Sequence, residues 1–245
     1  MKAVLLGASK GMGRALARLL AARGARLFLL GRAAEDLERS ARDLEIHGAP
    51  APVETAYCDL LQPDSFAAAL EEAQRALDGF DTVVVTAGLF ATQEELENDP
   101  LRTARLLTVD FAHTVLFCEE ARRRLLAGGG GTLCVFSSLA GERGRKPVIL
   151  YGAAKAGLSR YLEGLDHKFR ARGLITICVK PGFVTTGMTA GLEPSPLTGT
   201  AEEVAARVLK AIDRGWPEVY APAPWRLVMG VIRRLPRCVM RRVGF

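Results

Sequence analysis

The chain has 245 residues, 49% hydrophobic and 24% charged, enough to bury a full core as one domain, which excludes disordered and fibrous architectures. Its formal net charge of +6 is local: no acid follows Glu218, and Arg226, Arg233, Arg234, Arg237, Arg241 and Arg242 supply the whole surplus. A neutral body with a basic, apolar tail argues against nucleic acid as a partner and for an anionic surface such as a membrane.

In chain order, strand-length apolar runs alternate with segments of helical periodicity. The first run, residues 3–7, passes straight into a loop of Gly7, Ser9, Lys10, Gly11, Met12 and Gly13, and a helix is expected over 11–23. Such glycines let the backbone turn tightly against a pyrophosphate, whose charge the free N–H groups of the following helix stabilise. A glycine-rich turn that only packs strand on helix has the same pattern. The second run, 25–30, ends at Leu30-Gly31-Arg32. An acid there would bind a ribose 2′-OH and select NAD(H). Arg32, with Lys10 and Ser9, instead offers cations and a hydroxyl to the 2′-phosphate of NADP(H). After a helix expected over 33–47, the third run, 52–58, leads to Asp59 and Leu60. These are expected to face an adenine ring, or to form the turn ahead of a helix over 63–78.

The fourth run, 81–88, precedes one long helix expected over 100–127, and the fifth, 131–137, ends beside Ser138. Tyr151 and Lys155 stand at i and i+4 of a helix expected over 151–172 and share one face. The ammonium is expected to lower the phenol pKa from about 10 toward working pH. Ser138, just past its strand, can hold a carbonyl for protonation. A surface Tyr-Lys pair on any helix has the same spacing. Between these residues Arg143, Arg145 and Lys146 are expected to rim the pocket, where a substrate phosphate would pair with arginine, or to be a solvated loop. A sixth run over 174–180, a loop or loose lid over 189–200, a helix over 201–214 and a seventh run over 217–221 complete the body.

Apolar strands alternating with helices imply a parallel sheet covered on both faces: a Rossmann-like, doubly wound α/β fold, one domain over residues 1–221. Its crevice is expected at the carboxyl ends of the strands, near the switch point between the first and fourth. Residues 222–245 read as an amphipathic basic tail. Trp225, Val228, Met229 and Ile232 form an apolar stripe that Pro236 ends, too short to span a bilayer and expected to lie on its inner face. A tail folded over its own pocket or a neighbouring subunit is the alternative. Cys58, Cys118, Cys134, Cys178 and Cys238 are widely spaced, with no C-x-x-C pair. They read as free thiols rather than zinc ligands, and the short apolar start does not read as a signal peptide, so a cytoplasmic protein is expected.

The glycine loop, Asp59, Ala87-Gly88, Ser138, Tyr151, Lys155 and Pro181-Gly182 with Thr186 together resemble the short-chain dehydrogenase/reductase family, over essentially residues 1–221. The resemblance implies hydride transfer between a nicotinamide and a substrate carbon. Tyr151 would act as acid or base, Ser138 would polarise the carbonyl, and Lys155 would bind ribose hydroxyls while tuning the phenol. Pro181, Gly182, Val184 and Thr186 would meet the nicotinamide amide, and the helices expected over 100–127 and 151–172 would pair across a homodimer. Two departures stand out. Asp110 occupies a position where the family often has an Asn that anchors a relay water, and Thr86 replaces the Asn of the turn after the fourth strand.

Segments 137–165, 180–198 and 219–243 further resemble the decaprenylphosphoryl 2-keto-ribose reductases. That likeness implies a lipid-linked keto sugar as substrate, a flavin-dependent oxidase as partner, and some use of NAD(H). Alternatives are a general carbonyl, 3-ketoacyl, sphingoid or sterol ketone reductase, and a non-catalytic NADP-binding sensor or scaffold.

Overall fold

The computed structural model describes residues 1–189 and 197–243. Seven parallel strands form one sheet in the order β3-β2-β1-β4-β5-β6-β7. They are β1 (Lys2–Leu6), β2 (Arg26–Gly31), β3 (Glu54–Tyr57), β4 (Thr82–Val85), β5 (Gly131–Phe136), β6 (Leu174–Pro181) and β7 (Glu218–Ala221). Alternation along β1 divides the core. Ala3 and Leu5 pack on one side with helices α1 (Gly11–Ala22), α2 (Ala34–Ile46) and α8 (Ala201–Arg214). Val4 and Leu6 pack on the other with α3 (Asp64–Leu77), α6 (Thr114–Ala127) and α7 (Ile149–Phe169). The chain runs outward from β1 to β3 and then returns to pair β4 with β1, so a crevice opens where the two halves diverge.

The helix expected over 100–127 is helical throughout but changes pitch: α5 (Pro100–Leu107), capped by Asp99, runs into a π-helical turn over Thr108–His113, and α6 follows. A further short helix, α4 (Gln93–Glu97), capped by a Thr92/Glu95 box, precedes α5. The Thr114 hydroxyl donates to the Val109 carbonyl five residues back at 2.7 Å. That bond occupies a carbonyl the regular ladder would use, and the wider turn points Asp110 into the protein, where it is 0% exposed. α4, absent from the sequence reading, accepts the Leu150 N–H on Gln93 Oε1 and so caps α7 one residue before Tyr151.

The tail corrects a second expectation. α9 (Trp225–Ile232) and α10 (Arg237–Met240) fold back on the body, with Met229 1% exposed among Leu139 and Tyr220, and Trp225 and Ile232 packed around them. The stripe read as lipid-facing therefore faces protein, with Met229 buried and Trp225, Val228 and Ile232 half-buried, as in the alternative of a tail folded on its own body, because Leu139 and Tyr220 offer it an apolar surface. Of the expected lid, residues 190–196 lie outside the described residues. On either side, Gly199 bonds back to Phe183 and Thr185. Cys58, Cys118, Cys134 and Cys178 are buried free thiols, and Cys238 is an exposed one.

α1 and α2 are joined by a bidentate pair, Arg18 to Asp43 at 2.8 and 2.6 Å, with Arg14 at 3.3 Å. The Arg18 hydrogen bonds, helped by Arg14, hold the Asp43 carboxyl well below its ordinary 3.8. A depressed carboxyl contributes stability that is present above its unfolded pKa and lost as pH falls below it. Asp43→Asn is expected to lower the unfolding free energy at neutral pH by about 1–2 kcal/mol, the arginines being partly solvated. Urea unfolding at neutral and acid pH should show this gap closing on acidification; a gap that stays constant would refute it.

Candidate active site

At the carboxyl ends of β1, β2 and β4 lies a cleft of about 300 Å³ lined by Gly7, Ser9, Lys10, Arg32, Asp59, Leu60, Ala87 and Gly88. Eight predicted residues from four separate segments thus converge. The loop entering α1 is shaped by backbone contact. Gly7 has φ +98°, and a Cβ there would lie 2.6 Å from the Ala87 nitrogen; one at Gly13 would lie 2.4 Å from both the Gly7 carbonyl and Thr86 Oγ1. The Thr86 hydroxyl donates to the Gly7 carbonyl at 2.9 Å. It therefore fastens β4 to the glycine loop, a role for this departure that the sequence reading did not assign. Lys10 is the N-cap of α1 with no side-chain cap, which leaves first-turn N–H groups for an anion. Cradle and helix end together fit a dinucleotide diphosphate.

One reading changes. No acid follows β2 directly, but Asp36, in the first turn of α2, lines the same cleft and pairs with Lys10 at 3.1 Å. Its spacing of four from Arg32 on the entering helix was the available signal. Lys10 is thus partly neutralised, while Arg32 is exposed and without an ion pair among the described residues. Asp59 accepts the Leu61 N–H on Oδ1 at 2.9 Å, so it shapes the turn as well as lining the cleft. Met12 packs on the core, and Thr186 lies against Gly11. Pro181 pairs with Ala221, Val184 is buried, and Gly182 packs directly on Trp225, where a Cβ would meet the indole at 2.4 Å. Arg143 and Lys146 donate to the backbone carbonyls of Leu235 and Arg241 at 2.7 and 2.8 Å. Both therefore help to hold the tail.

Beyond Gly88 the cleft meets α7. Lys155, buried, pairs with Asp110 Oδ2 at 3.2 Å, and Asp110 Oδ1 accepts the Leu89 N–H at 2.6 Å. The Lys155 ammonium sits 5.6 Å from the centre of the Tyr151 ring, which packs edge-on against Phe90. The Ser138 hydroxyl accepts the Ala140 N–H at 3.1 Å. Burial pushes the phenol above its ordinary 10.0. Lys155 and Ser138 pull it down, Asp110 pushes it further up, and the balance is a raised pKa. The lowered phenol expected from the Tyr-Lys spacing is therefore overturned: Phe90, contributed by the β4 end, desolvates the ring, and Asp110 offsets the lysine charge. Burial pushes Lys155 down most strongly of any single cause, but Asp110 and Tyr151 together raise it, and the balance holds the ammonium above 10.5. Burial in turn lifts the Asp110 carboxyl above the usual carboxylate range. The arrangement keeps a protonated phenol and a serine hydroxyl side by side above a buried cation.

The described helices include none long and apolar enough to cross a membrane. Residues 1–196 match the family model for short chain dehydrogenases. The chain is 36% identical over 98% of its length to an uncharacterised oxidoreductase of Streptomyces coelicolor, covering 94% of that protein. It is 29% identical over 84% of its length to carbonyl reductase family member 4 of Xenopus tropicalis, covering 88% of that protein. A short-chain type dehydrogenase/reductase from Mycobacterium ulcerans superposes with a TM-score of 0.80 at 21% identity, over 89% of this chain and 86% of the other, which speaks for the fold alone. With the seven-stranded sheet, the glycine cradle and the Ser138, Tyr151 and Lys155 grouping, these findings place the chain in the short-chain dehydrogenase/reductase family, as an NAD(P)-dependent oxidoreductase.

Proposed function

We propose that the protein reduces a ketone to a secondary alcohol, with a hydrophobic or lipid-linked ketone, such as a polyprenylphosphoryl 2-keto sugar, as substrate. The observation that carries the reduction is the placing of the Tyr151 ring 5.6 Å from the Lys155 ammonium, which Asp110 pairs at 3.2 Å. NAD(P)H bound along the cleft would supply the hydride. Ser138 Oγ donates a hydrogen bond to the carbonyl oxygen, Tyr151 Oη gives that oxygen its proton, and Lys155 stabilises the phenolate left behind. Asp110 keeps Lys155 charged, the part it takes in the proton relay. The carbonyl reductase of Xenopus tropicalis among the relatives supports this direction of reaction. The likeness of segments 137–165, 180–198 and 219–243 to keto-sugar reductases supports the lipid-linked substrate, with a flavin-dependent oxidase supplying the ketone. Phe111 and Leu116 expose apolar surface on the face expected to pair in a homodimer.

Four experiments test this reading. NADPH is expected to bind about tenfold tighter than NADH through Arg32, a charge-assisted contact of about 1.5 kcal/mol. Asp36→Asn should widen that preference by freeing Lys10. Equal or tighter NADH binding in a fluorescence titration rejects it.

Tyr151→Phe is expected to keep nucleotide binding and lose turnover by about 100-fold or more in a ketone-dependent NADPH oxidation assay. Retained turnover removes Tyr151 as the proton donor. Asp110→Asn keeps an acceptor for Leu89 but deletes the charge that raises the phenol. The phenol must be protonated to act, so its earlier ionisation should move the alkaline fall of kcat/KM to lower pH. A fall that stays in place or moves upward contradicts the assignment.

α9 presents a second face, with Leu227 79% and Val231 64% exposed beside Arg226 and Arg234. Basic side chains around apolar ones fit an anionic lipid surface, on the inner face of the membrane. The intact chain is expected to sediment with anionic vesicles at low salt and not at high salt, and a Leu227→Asp, Val231→Asp variant to stay in solution. Equal sedimentation of both proteins, or with neutral vesicles, rejects the attachment.

A further inference from the structure

A second set of charges, half of it buried, gathers at the end of the turn that follows Ser138. Glu142, with its side chain 4% exposed, pairs with Lys180 at 2.6 Å and with Arg233 at 3.0 Å, and it accepts the Tyr220 hydroxyl at 2.8 Å. Lys180 also pairs with Glu218 and sits 5.3 Å from the centre of the Tyr220 ring. Two acids and two bases balance. They come from four places: the turn after β5, the end of β6, the start of β7, and the residue that closes α9. A buried ion pair is poor evidence for stability, because desolvation offsets most of the attraction. What this one fixes is geometry.

Glu142 is the last residue of a 3₁₀ turn, Leu139–Glu142, whose N-cap is Ser138. The turn is rigid at its start: Gly141 N donates to the Ser138 carbonyl and Ala140 N to Ser138 Oγ, both at 3.1 Å. Its inner side lies backbone-to-backbone on α7. A Cβ on Gly141 would meet the Lys155 carbonyl carbon and the Ala156 nitrogen at 2.6 Å, and one on Gly152 would meet the Ala140 carbonyl at 2.8 Å. Those flat contacts set the distance of the turn from α7 but leave its rotation to whatever holds its outer end, where Glu142 makes its ion pairs and Arg143, the next residue, bonds the Leu235 carbonyl. A 3₁₀ turn of four residues spans only about 8 Å, so movement of Glu142 reaches Ser138 Oγ with little loss.

We infer that Glu142 is a positioning residue: through Lys180 and Arg233 it couples docking of the C-terminal helix to the orientation of the Ser138 hydroxyl. The inference rests on Ser138 holding the substrate carbonyl. The tail is then part of the active site without touching it, since release of α9 takes away one of the two cations on Glu142 and leaves it to Lys180 and the Tyr220 hydroxyl. The same clasp reaches the segment expected to meet the nicotinamide, because Lys180 immediately precedes Pro181.

Arg233→Gln tests the link with little risk to folding, because Arg233 is half exposed and Lys180 keeps its partners. Hydrogen exchange of the Ala140 and Gly141 amides is expected to quicken in Arg233→Gln, although the change lies on another element. The kcat is expected to fall about fivefold with the NADPH dissociation constant within about twofold of wild type, and Glu142→Gln to lower kcat about tenfold or more, the cost of a misplaced catalytic group. The double variant should be no slower than Glu142→Gln alone, because both substitutions open one clasp. Wild-type kcat in Arg233→Gln, whether or not the tail loosens, overturns the inference, as does unchanged exchange at Ala140 and Gly141. If Glu142→Gln fails to fold, Arg233→Gln decides. If Ser138→Ala retains wild-type turnover, the role of Ser138 itself fails, and the exchange data alone report the coupling.

Discussion

The contact on which the site depends is the buried ion pair between Asp110 and Lys155. Two opposite charges removed from water cost several kcal/mol each unless their geometry is closely held, and here three elements hold it. The π-helical turn points the carboxylate inward, the end of β4 offers the Leu89 N–H, and α7 brings the lysine. Gly88 completes the arrangement by omission, because a Cβ there would press within 3.3 Å of Asp110 and 3.5 Å of Lys155. Position of the pair fixes position of the phenol above it, and the pair sets its protonation. A lysine alone would have pulled the phenol down; a lysine already paired leaves burial in control.

From that centre the two sides of the site are built differently. The nucleotide side is backbone against backbone, with Gly7, Gly13 and the Thr86 hydroxyl leaving no space for side chains. The substrate side is held by charge and by the tail, through Glu142, Lys180 and Arg233. Tight steric packing tolerates almost no motion, whereas an ionic clasp that includes a half-exposed arginine can open. The division suits a site whose bound nucleotide keeps one shape while its second ligand must enter and leave.

Much of this was legible in the sequence, for local reasons. Continuous apolar runs such as 81–88 and 131–137 can only be strands buried on both faces, and the glycine loop and the Tyr151/Lys155 spacing are each contained within a single turn or loop. What escaped the reading is non-local. The π-helical turn depends on where one threonine hydroxyl bonds, and the raised phenol depends on Phe90, far from Tyr151 in sequence. Asp36 enters the cleft from the first turn of α2, where it meets Lys10 of the distant glycine loop. The stripe on α9 was visible, but an apolar stripe has the same pattern against lipid as against Leu139 and Tyr220.

The clamp on the tail has one more property. Arg143 and Lys146 grip it by the carbonyl oxygens of Leu235 and Arg241, groups that every residue carries. These contacts register the path of the chain and ignore its side chains. Apart from Arg233 and the inward face of α9, the end of the protein is therefore free to drift in sequence while keeping its seat. The outer surface of that segment can be rewritten by substitution, toward one membrane, another protein or none, without disturbing the chemistry beneath it.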